Sequence, residues 1–396
     1  MSLQLISRSE DLSRLHAEGY DIRIHSGHLV VRDVPYLDAE GAIQRGTLIC
    51  KLELANDRTV QPSDHTVMFA GSKPHHWESR QPLNIVASEN LQDLGGGLIS
   101  NFVFSRRPLD DQNRYRDYHH KVTTYVQFIE RHARKVDPNV TSRTNKFVPD
   151  EDPASVFRYR DTASSRYEIS HISDKLKVGP VGIVGLGGTG AYILDLVAKT
   201  PVSAIHLFDG DRFIQHNAFR APGAAPGEIL ETIPSKVDYF SGVYSAMHAG
   251  ITAHPYYVDE TNVSELADMS FVFIAIDDGG SRRLIAEALA AQGINFVDAG
   301  MGLYDTDGIL GGQVRLTTST SEDRDRAKAH LPLKERDPNN LYASNIQIAD
   351  LNALNAVLAV IKWKKLVGFY QDTDQEHQTL YALGGNLLIN SDKGMP

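Results

Sequence analysis

Val181-Gly-Ile-Val-Gly-Leu-Gly-Gly-Thr-Gly-Ala-Tyr192 is the stretch that decides the fold of this chain. Four apolar strand residues, Val181–Val184, run into Gly185-x-Gly187-x-x-Gly190, and a helix is expected over 190–199. Strand, glycine turn and helix in that order are the context in which such a turn binds phosphate. Residues without side chains let phosphate oxygens approach backbone N–H groups at the positive end of the helix. Working outward, a second apolar strand at Ile205–Phe208 ends on Asp209, about twenty residues beyond the turn, where an acid bonds a ribose hydroxyl. Further strands are expected at 271–276 and 295–297, with a helix at 282–291 between them. Continuous apolar strands separated by helices mean a parallel sheet covered on both faces. The expected fold class is α/β, a Rossmann-like and mostly parallel sheet over residues 181–396.

The flanks read differently. Residues 1–145 predict a smaller α+β domain with a polar helix at 10–19, alternating strands at 29–34 and 48–54, and a helix at 115–135. Turn formers and charge take over at 137–145 and 149–153, so 146–180 is expected to be a linker, with a leading helix over 158–177. Segment 318–344 is charged, lacks a strand pattern and is long for a loop, which predicts a mobile crossover. A closing helix at 349–367 is expected to bury Leu351, Leu354, Leu358, Ile361 and the stem of Lys365, with Gly368 as its stop.

Bulk properties narrow the function. With 396 residues, 41% apolar and 23% charged, the chain is an ordinary globular protein of about two domains. A formal charge of -10 argues against broad affinity for nucleic acid or an anionic membrane. The first residues lack a basic region followed by an apolar core, so a cytoplasmic location is expected. A single cysteine, Cys50, excludes an internal disulfide and a zinc site of paired Cys-x-x-Cys. By period two it shares a strand face with Leu48, Leu52 and Leu54 and reads as a buried structural thiol. His65, His75, His76 and Asp64 lack metal-ligand spacing and read as surface or core residues.

The glycine turn and Asp209 suit NAD as well as ATP. The residues after the second strand discriminate: Phe208-Asp-Gly-Asp-Arg-Phe-Ile-Gln-His-Asn-Ala-Phe-Arg220, then Lys236, then Ile276-Asp-Asp-Gly-Gly-Ser-Arg282. Adenylyl transfer releases pyrophosphate, so its site must neutralise several phosphoryl oxygens and hold magnesium with a carboxylate. Asn217, Arg220, Lys236 and Asp277 supply those groups. Singly, each has an ordinary reading: Arg220 and Lys236 as surface charges, Asp277 as a helix cap, Asp211 as a turn former beside Gly210. Their joint order favours the site.

In that order the chain resembles the ThiF/MoeB and ubiquitin-activating-enzyme superfamily of ATP-dependent adenylyltransferases, over residues 181 to about 370. Gly185, Gly187, Gly188 and Gly190 match its phosphate turn, and Asp209-Gly-Asp211 its acidic pair. Asn217-x-x-Arg220 matches its Asn-Leu-x-Arg element, Lys236 its single lysine, Asp277-x4-Arg282 its Asp-Asn-x3-Arg element, and Gly311-Gly-Gln-Val a later strand. The resemblance implies ATP and Mg2+, with Asp277 on the metal, Arg220 and Lys236 on the triphosphate, and an upstream arginine, Arg166 in preference to Arg160, completing the site. It implies adenylation of the C-terminal carboxylate of a ubiquitin-like protein. A homodimer through the closing helix and a conjugating enzyme as partner follow from the same likeness. Many relatives carry an acceptor cysteine in the segment corresponding to 318–344, where this chain has none. Direct transfer to a partner's thiol, use of Cys50, and a substituted nucleophile all stay open. A domain fused before the ThiF-like one resembles the activating enzymes of bacterial ubiquitin-like (Bil-type) conjugation operons, associated with antiviral defence. An NAD-dependent oxidoreductase and an inactive ThiF-like scaffold are the alternatives.

Overall fold

The computed structural model describes residues 5–6, 8–108, 113–146, 153–167, 169–333 and 346–391. The chain divides into two compact units, one of Met1–Val148 with Asp161–Ser170, the other of Pro149–Arg160 with His171–Pro396. The expected linker is thus shared between them rather than free. Where one leading helix was expected, there are two short ones, Thr162–Arg166 and Ser170–Ser173. The backbone before them pairs instead as extended chain, the Arg158 N–H donating to the Met247 carbonyl at 2.8 Å.

The first unit opens with helix α1 (Glu10–Ala17), followed by strands β1 (Ile22–His25), β2 (His28–Leu37), β3 (Ile43–Lys51), β4 (Thr66–Ala70), β5 (Val86–Asp93) and β6 (Ile99–Ser105), and then helix α2 (Tyr118–Ala133). The sheet is antiparallel throughout, in the order β1-β2-β3-β4-β6-β5. Alternation buries Leu29, Val31, Leu48, Cys50, Phe69 and Phe104 in one core with Tyr118, Val122 and Tyr125 of α2. Asp117 starts α2 by accepting the His120 N–H at 2.6 Å.

In the second unit β7 (Val181–Val184), α3 (Gly188–Val197), β8 (Ile205–Phe208), α4 (Gln215–Ala218), α5 (Lys236–Tyr244), β9 (Ile251–His254), β10 (Phe271–Ile274), α6 (Gly279–Gln292) and β11 (Asn295–Thr306) form the α/β part. Then come β12 (Ile309–Ser319), α7 (Arg324–His330), α8 (Ala349–Leu366), β13 (Gln378–Ala382) and β14 (Leu387–Ser391). The sheet runs β9-β8-β7-β10-β11-β12-β13-β14. Its first five strands are parallel, and the last three join antiparallel. In chain order the parallel strands lie 3-2-1-4-5, so the direction of winding reverses between β7 and β10. Ligands of such sheets bind beyond the carboxyl ends of the strands at that reversal. Val181 and Ile183 pack in one core with Leu194 and Trp363, while Val184, Val272 and Ile274 pack in another with Ile285 and Leu289, so both faces are covered.

Two expectations need correction here. Segment 318–344 begins inside β12 and carries α7, whose Arg-Asp-Arg-Ala-Lys-Ala run is made of helix formers anchored by the buried Ala327; residues 334–344 lie outside the described ones. The buried residues of α8 are Leu351, Asn352, Asn355, Ala356, Ala359, Val360, Lys362 and Trp363, whereas Ile361 is exposed. Small and amide side chains occupy its buried face because α8 packs closely against α3 and the glycine turn, so aliphatic spacing found part of the face, with Leu351 buried and Leu354 and Leu358 packed beside it, and missed the rest.

Candidate functional site

The glycine turn is shaped by contacts only glycine tolerates. Gly185 sits at φ +90°, in the left-handed region, and a Cβ there would lie 2.5 Å from the Ala275 carbonyl oxygen. At Gly190 a Cβ would lie 1.8 Å from the Gly185 oxygen, and at Gly188 1.9 Å from Asn352 Nδ2. Asn352, buried on α8, bonds Thr189 Oγ1 at 3.0 Å and the Arg220 carbonyl at 3.3 Å, holding the turn from behind. Gly187 is different: its Cβ direction is open, the nearest atom being Gln347 Oε1 at 3.8 Å. Its openness leaves room for a ligand against the amino end of α3.

A cavity of about 590 Å³ opens in front of this turn. Gly185, Gly187, Gly188, Asp209, Asp211, Arg220, Lys236 and Asp277 line it, so eight of the sequence-derived residues converge from four separate connections. Gly190 is packed behind the turn and does not line it. Asn217 does not line it either; it is buried, and its Oδ1 accepts the Ile214 N–H at 2.9 Å. It therefore starts the short α4, and its own carbonyl accepts the Arg220 N–H at 3.1 Å. Its place in the structure is that of a residue positioning Arg220. Arg166 belongs to the first unit, and its side chain lies outside the described residues. Arg160 belongs to the second unit.

The charged groups have defined states. Asp209 is buried; Oδ2 accepts the Leu186 N–H at 2.6 Å and Oδ1 the Asp211 N–H at 2.8 Å, which tie the glycine turn to β8. Lys236, buried at the start of α5, reaches Asp211 at 2.5 Å and Asp209 at 3.5 Å. Burial opposes the charge on Asp211, but hydrogen bonds from Lys236 and Tyr257 outweigh it and hold the carboxyl below its ordinary range. Burial lowers the Arg220 guanidinium below its usual value, against the pull of Asp277, Asp211 and Asp209. Arg220 Nε is buried with no hydrogen-bond partner among the described residues. A half-buried cation left so, beside an open glycine turn, is arranged for an anion.

Asp277 and Asp278 divide two tasks. Asp278 caps α6, accepting the Ser281 N–H at 2.6 Å, so the cap reading belongs to it and not to Asp277. Asp277 is exposed to the cavity just beyond β10. Arg282, buried, spans Asp298 at 2.8 Å, the Pro332 carbonyl at 3.1 Å and the Ile276 carbonyl, holding the backbone before Asp277. Tyr257 and Gln347 also line the cavity and carried no signal in the sequence, whereas Ser281 lies within the Asp277–Arg282 run. Tyr257 follows β9, a strand whose Ile-Thr-Ala-His sequence is too short and mixed to announce itself. Gln347 comes from more than a hundred and fifty residues beyond the turn and carries no local pattern.

Cys50 is fully buried in β3, and burial pushes its thiol up to about 11. It is not a nucleophile in the folded chain. His65 bonds Ser105 Oγ at 3.0 Å and His75 the Lys73 carbonyl at 2.8 Å, and no group of three or more metal-binding side chains occurs among the described residues. No helix among them is long and apolar enough to cross a membrane.

A family model described as the ThiF family matches residues 121–381, and one described as a domain of unknown function (DUF6791) matches residues 10–162. Similar solved structures include PaaA, 15% identical over 57% of this chain and 76% of that one, with a TM-score of 0.44. MccB of E. coli, solved with ATP, is 13% identical over 59% and 70% of the two chains, TM-score 0.45. The same enzyme with MccA-N7isoASN gives 13%, 59% and 70%, TM-score 0.46. No curated protein matches the chain.

Proposed function

The chain belongs to the ThiF family of ATP-dependent adenylyltransferases, and from that premise we propose that it activates the C-terminal carboxylate of a ubiquitin-like protein and hands the acyl group to a thiol on a partner. The observation that carries this reading is the convergence of Arg220, Lys236 and Asp277 on an open glycine turn at the winding reversal of the sheet. In the reaction, a carboxylate oxygen attacks the α-phosphorus of ATP, the bond from that phosphorus to the bridging oxygen breaks, and pyrophosphate leaves. The nucleophile is already ionised at neutral pH, so alignment and charge neutralisation suffice without a general base. The turn's N–H groups and Arg220 take the phosphates; Lys236 shifts from Asp211 to a phosphoryl oxygen when one is present.

Magnesium fits Asp277. The ion prefers one or two carboxylates together with substrate phosphates and water, not an all-protein cage, and Asp277, exposed on the cavity wall while Asp209 and Asp211 bond Lys236 and Asp278 caps α6, is such a partial set. When bound it would neutralise phosphate charge. The thiol that accepts the acyl group lies on a partner, a conjugating enzyme, because Cys50 is buried and no other cysteine exists in this sequence. Thiolate attack on the acyl carbonyl then expels AMP. A homodimer through α8, which leaves Val357 and Ile361 exposed, and a place in a bacterial antiviral conjugation system complete the proposal; an upstream arginine, Arg166 or Arg160, is part of it.

The test is exchange of labelled pyrophosphate into ATP in the presence of a ubiquitin-like protein with a free C-terminus, followed by electrophoresis with and without dithiothreitol. Exchange that requires the free C-terminus, with no reducible adduct on this chain, is the expected result. Binding of NAD in place of ATP would sink the adenylation reading, and a reducible adduct on this chain would sink transfer to a partner.

A further inference from the structure

One cavity residue remains without a task in that chemistry. Tyr257 stands three residues beyond β9, and its ring lies flat over Gly210: a Cβ at Gly210 would come within 2.7 Å of two ring carbons. The hydroxyl donates to Asp211 Oδ1, the carboxylate that also holds Lys236. Its backbone is pinned as well, since Asn262 Nδ2 donates to the Tyr257 carbonyl at 2.9 Å and accepts, through Oδ1, the Asp259 N–H at 2.8 Å. The ring is therefore fixed at its edge and on one face, yet it is 62% exposed. Such an aromatic, immobile but uncovered, has no packing reason to be there.

The rest of the wall says what the open face meets. Phe208, Val258, Ile276 and Ile285 line the cavity and belong to one contiguous apolar cluster. The open Gly187 lies at the turn after β7 and the cations follow β8, with Lys236 on Asp209 and Asp211, whereas Tyr257 and Val258 follow β9, two strands from the glycine turn. A nucleotide with its phosphates at the turn and its ribose near Asp209 has its base directed toward β9. We propose that Tyr257 is the platform on which the purine base of the nucleotide stacks, with Gly210 left bare so that the ring can lie back and Asp211 holding it there. The inference rests on the adenylation reading above and assigns its base subsite.

Isothermal titration of the full chain with Mg-ATP, and with pyrophosphate as a probe that lacks a base, tests it. Tyr257→Ala should weaken ATP roughly 5- to 150-fold, the span that base stacking on an aromatic ring is worth, and leave pyrophosphate binding unchanged. Gly210→Ala, whose methyl displaces the ring, should follow the same pattern, and Tyr257→Phe, which keeps the ring, should retain most of the ATP affinity. In exchange assays the loss should fall on the KM for ATP and not on kcat. Unchanged ATP binding by a folded Tyr257→Ala chain overturns the proposal, as does a parallel loss of pyrophosphate, which would mean that the residue acts only through Asp211 and Lys236. Absence of ATP binding in the unaltered chain overturns the adenylation reading itself, and this assignment with it.

Discussion

The two units differ in where their buried charged groups point: into a core in the first, toward a cavity in the second. In the first, the charged and phenolic groups at the core are mostly closed by the fold, although Arg106 Nε and His132 Nδ1 have no hydrogen-bond partner among the described residues: Lys121 is 1% exposed and donates to the Asp64 carbonyl at 2.7 Å, Tyr118 and Tyr125 bond backbone groups, and Glu130 accepts from Ser142 and pairs with Arg134. In the second, Arg220, Lys236, Asp209 and Asp211 are gathered around an open cavity, and Arg220 Nε has no hydrogen-bond partner among the described residues. Burial alone therefore does not mark a site. A buried charge whose bonds are closed within the fold is structural, and one held at a cavity with donors to spare is available to a ligand. Sheet topology produces the difference: an antiparallel meander places connections at both ends, whereas a parallel sheet delivers the ends of β7, β8, β9 and β10 to one edge.

The sharpest way to break the contrast is Asp277→Ala. The residue is exposed and outside every core, so the thermal melt should be unchanged while the exchange rate falls at least about 10²-fold, as for loss of one group stabilising developing charge. Normal exchange by this variant would remove Asp277 from the site. Gly190→Ala probes the reverse case, a residue beside the site that does not line it. With a Cβ 1.8 Å from the Gly185 oxygen, the turn and helix must separate, and urea denaturation should show a loss of about 3 kcal/mol, the upper end of overpacking costs. A neutral result there would mean that the turn is less closely packed than described.

The smallest expected effect belongs to the first unit. His132 is buried at 3% exposure, and burial, with Arg131 and His76 nearby, lowers its pKa from 6.5 to about 4. Its Nε2 accepts from Arg131 Nε at 3.1 Å, as a neutral ring should. The unfolded chain takes up a proton between pH 6.5 and about 4 that the folded chain refuses, so stability is complete above that window and falls as pH drops through it. Melting temperatures across the window should fall more steeply for the unaltered chain than for His132→Gln; equal slopes would refute the assignment. Exchange depends on no histidine of this unit in the proposed mechanism and should not track that slope.

Much of the second unit could be read from the chain because its signals are local. Strand, glycine turn and helix adjoin in sequence, and Asp277 and Arg220 each sit within a few residues of the strand or turn that places them. Of the antiparallel strands only β12 was legible, through Gly311-Gly-Gln-Val: β13 and β14 lie in a stretch with no helix between strands, and their pairing depends on a surface that β12 presents. The face of α8 was legible only in part for a related reason. Aliphatic spacing finds the side of a helix that meets aliphatic neighbours, but α8 sets Asn352 against the glycine turn and Ala356 and Ala359 into the core shared with Leu194 and Trp363.

By itself, the sequence determined the nucleotide-binding class of the second unit, since backbone conformation at a glycine turn and the acid after a strand are set by neighbours along the chain. Only the tertiary structure decided which residues share the cavity. It turned Asn217 into a support for Arg220, gave the helix cap to Asp278 instead of Asp277, and brought Tyr257 and Gln347 to the wall. Those outcomes depend on which surfaces meet across many intervening residues, and no local pattern encodes a meeting of that kind.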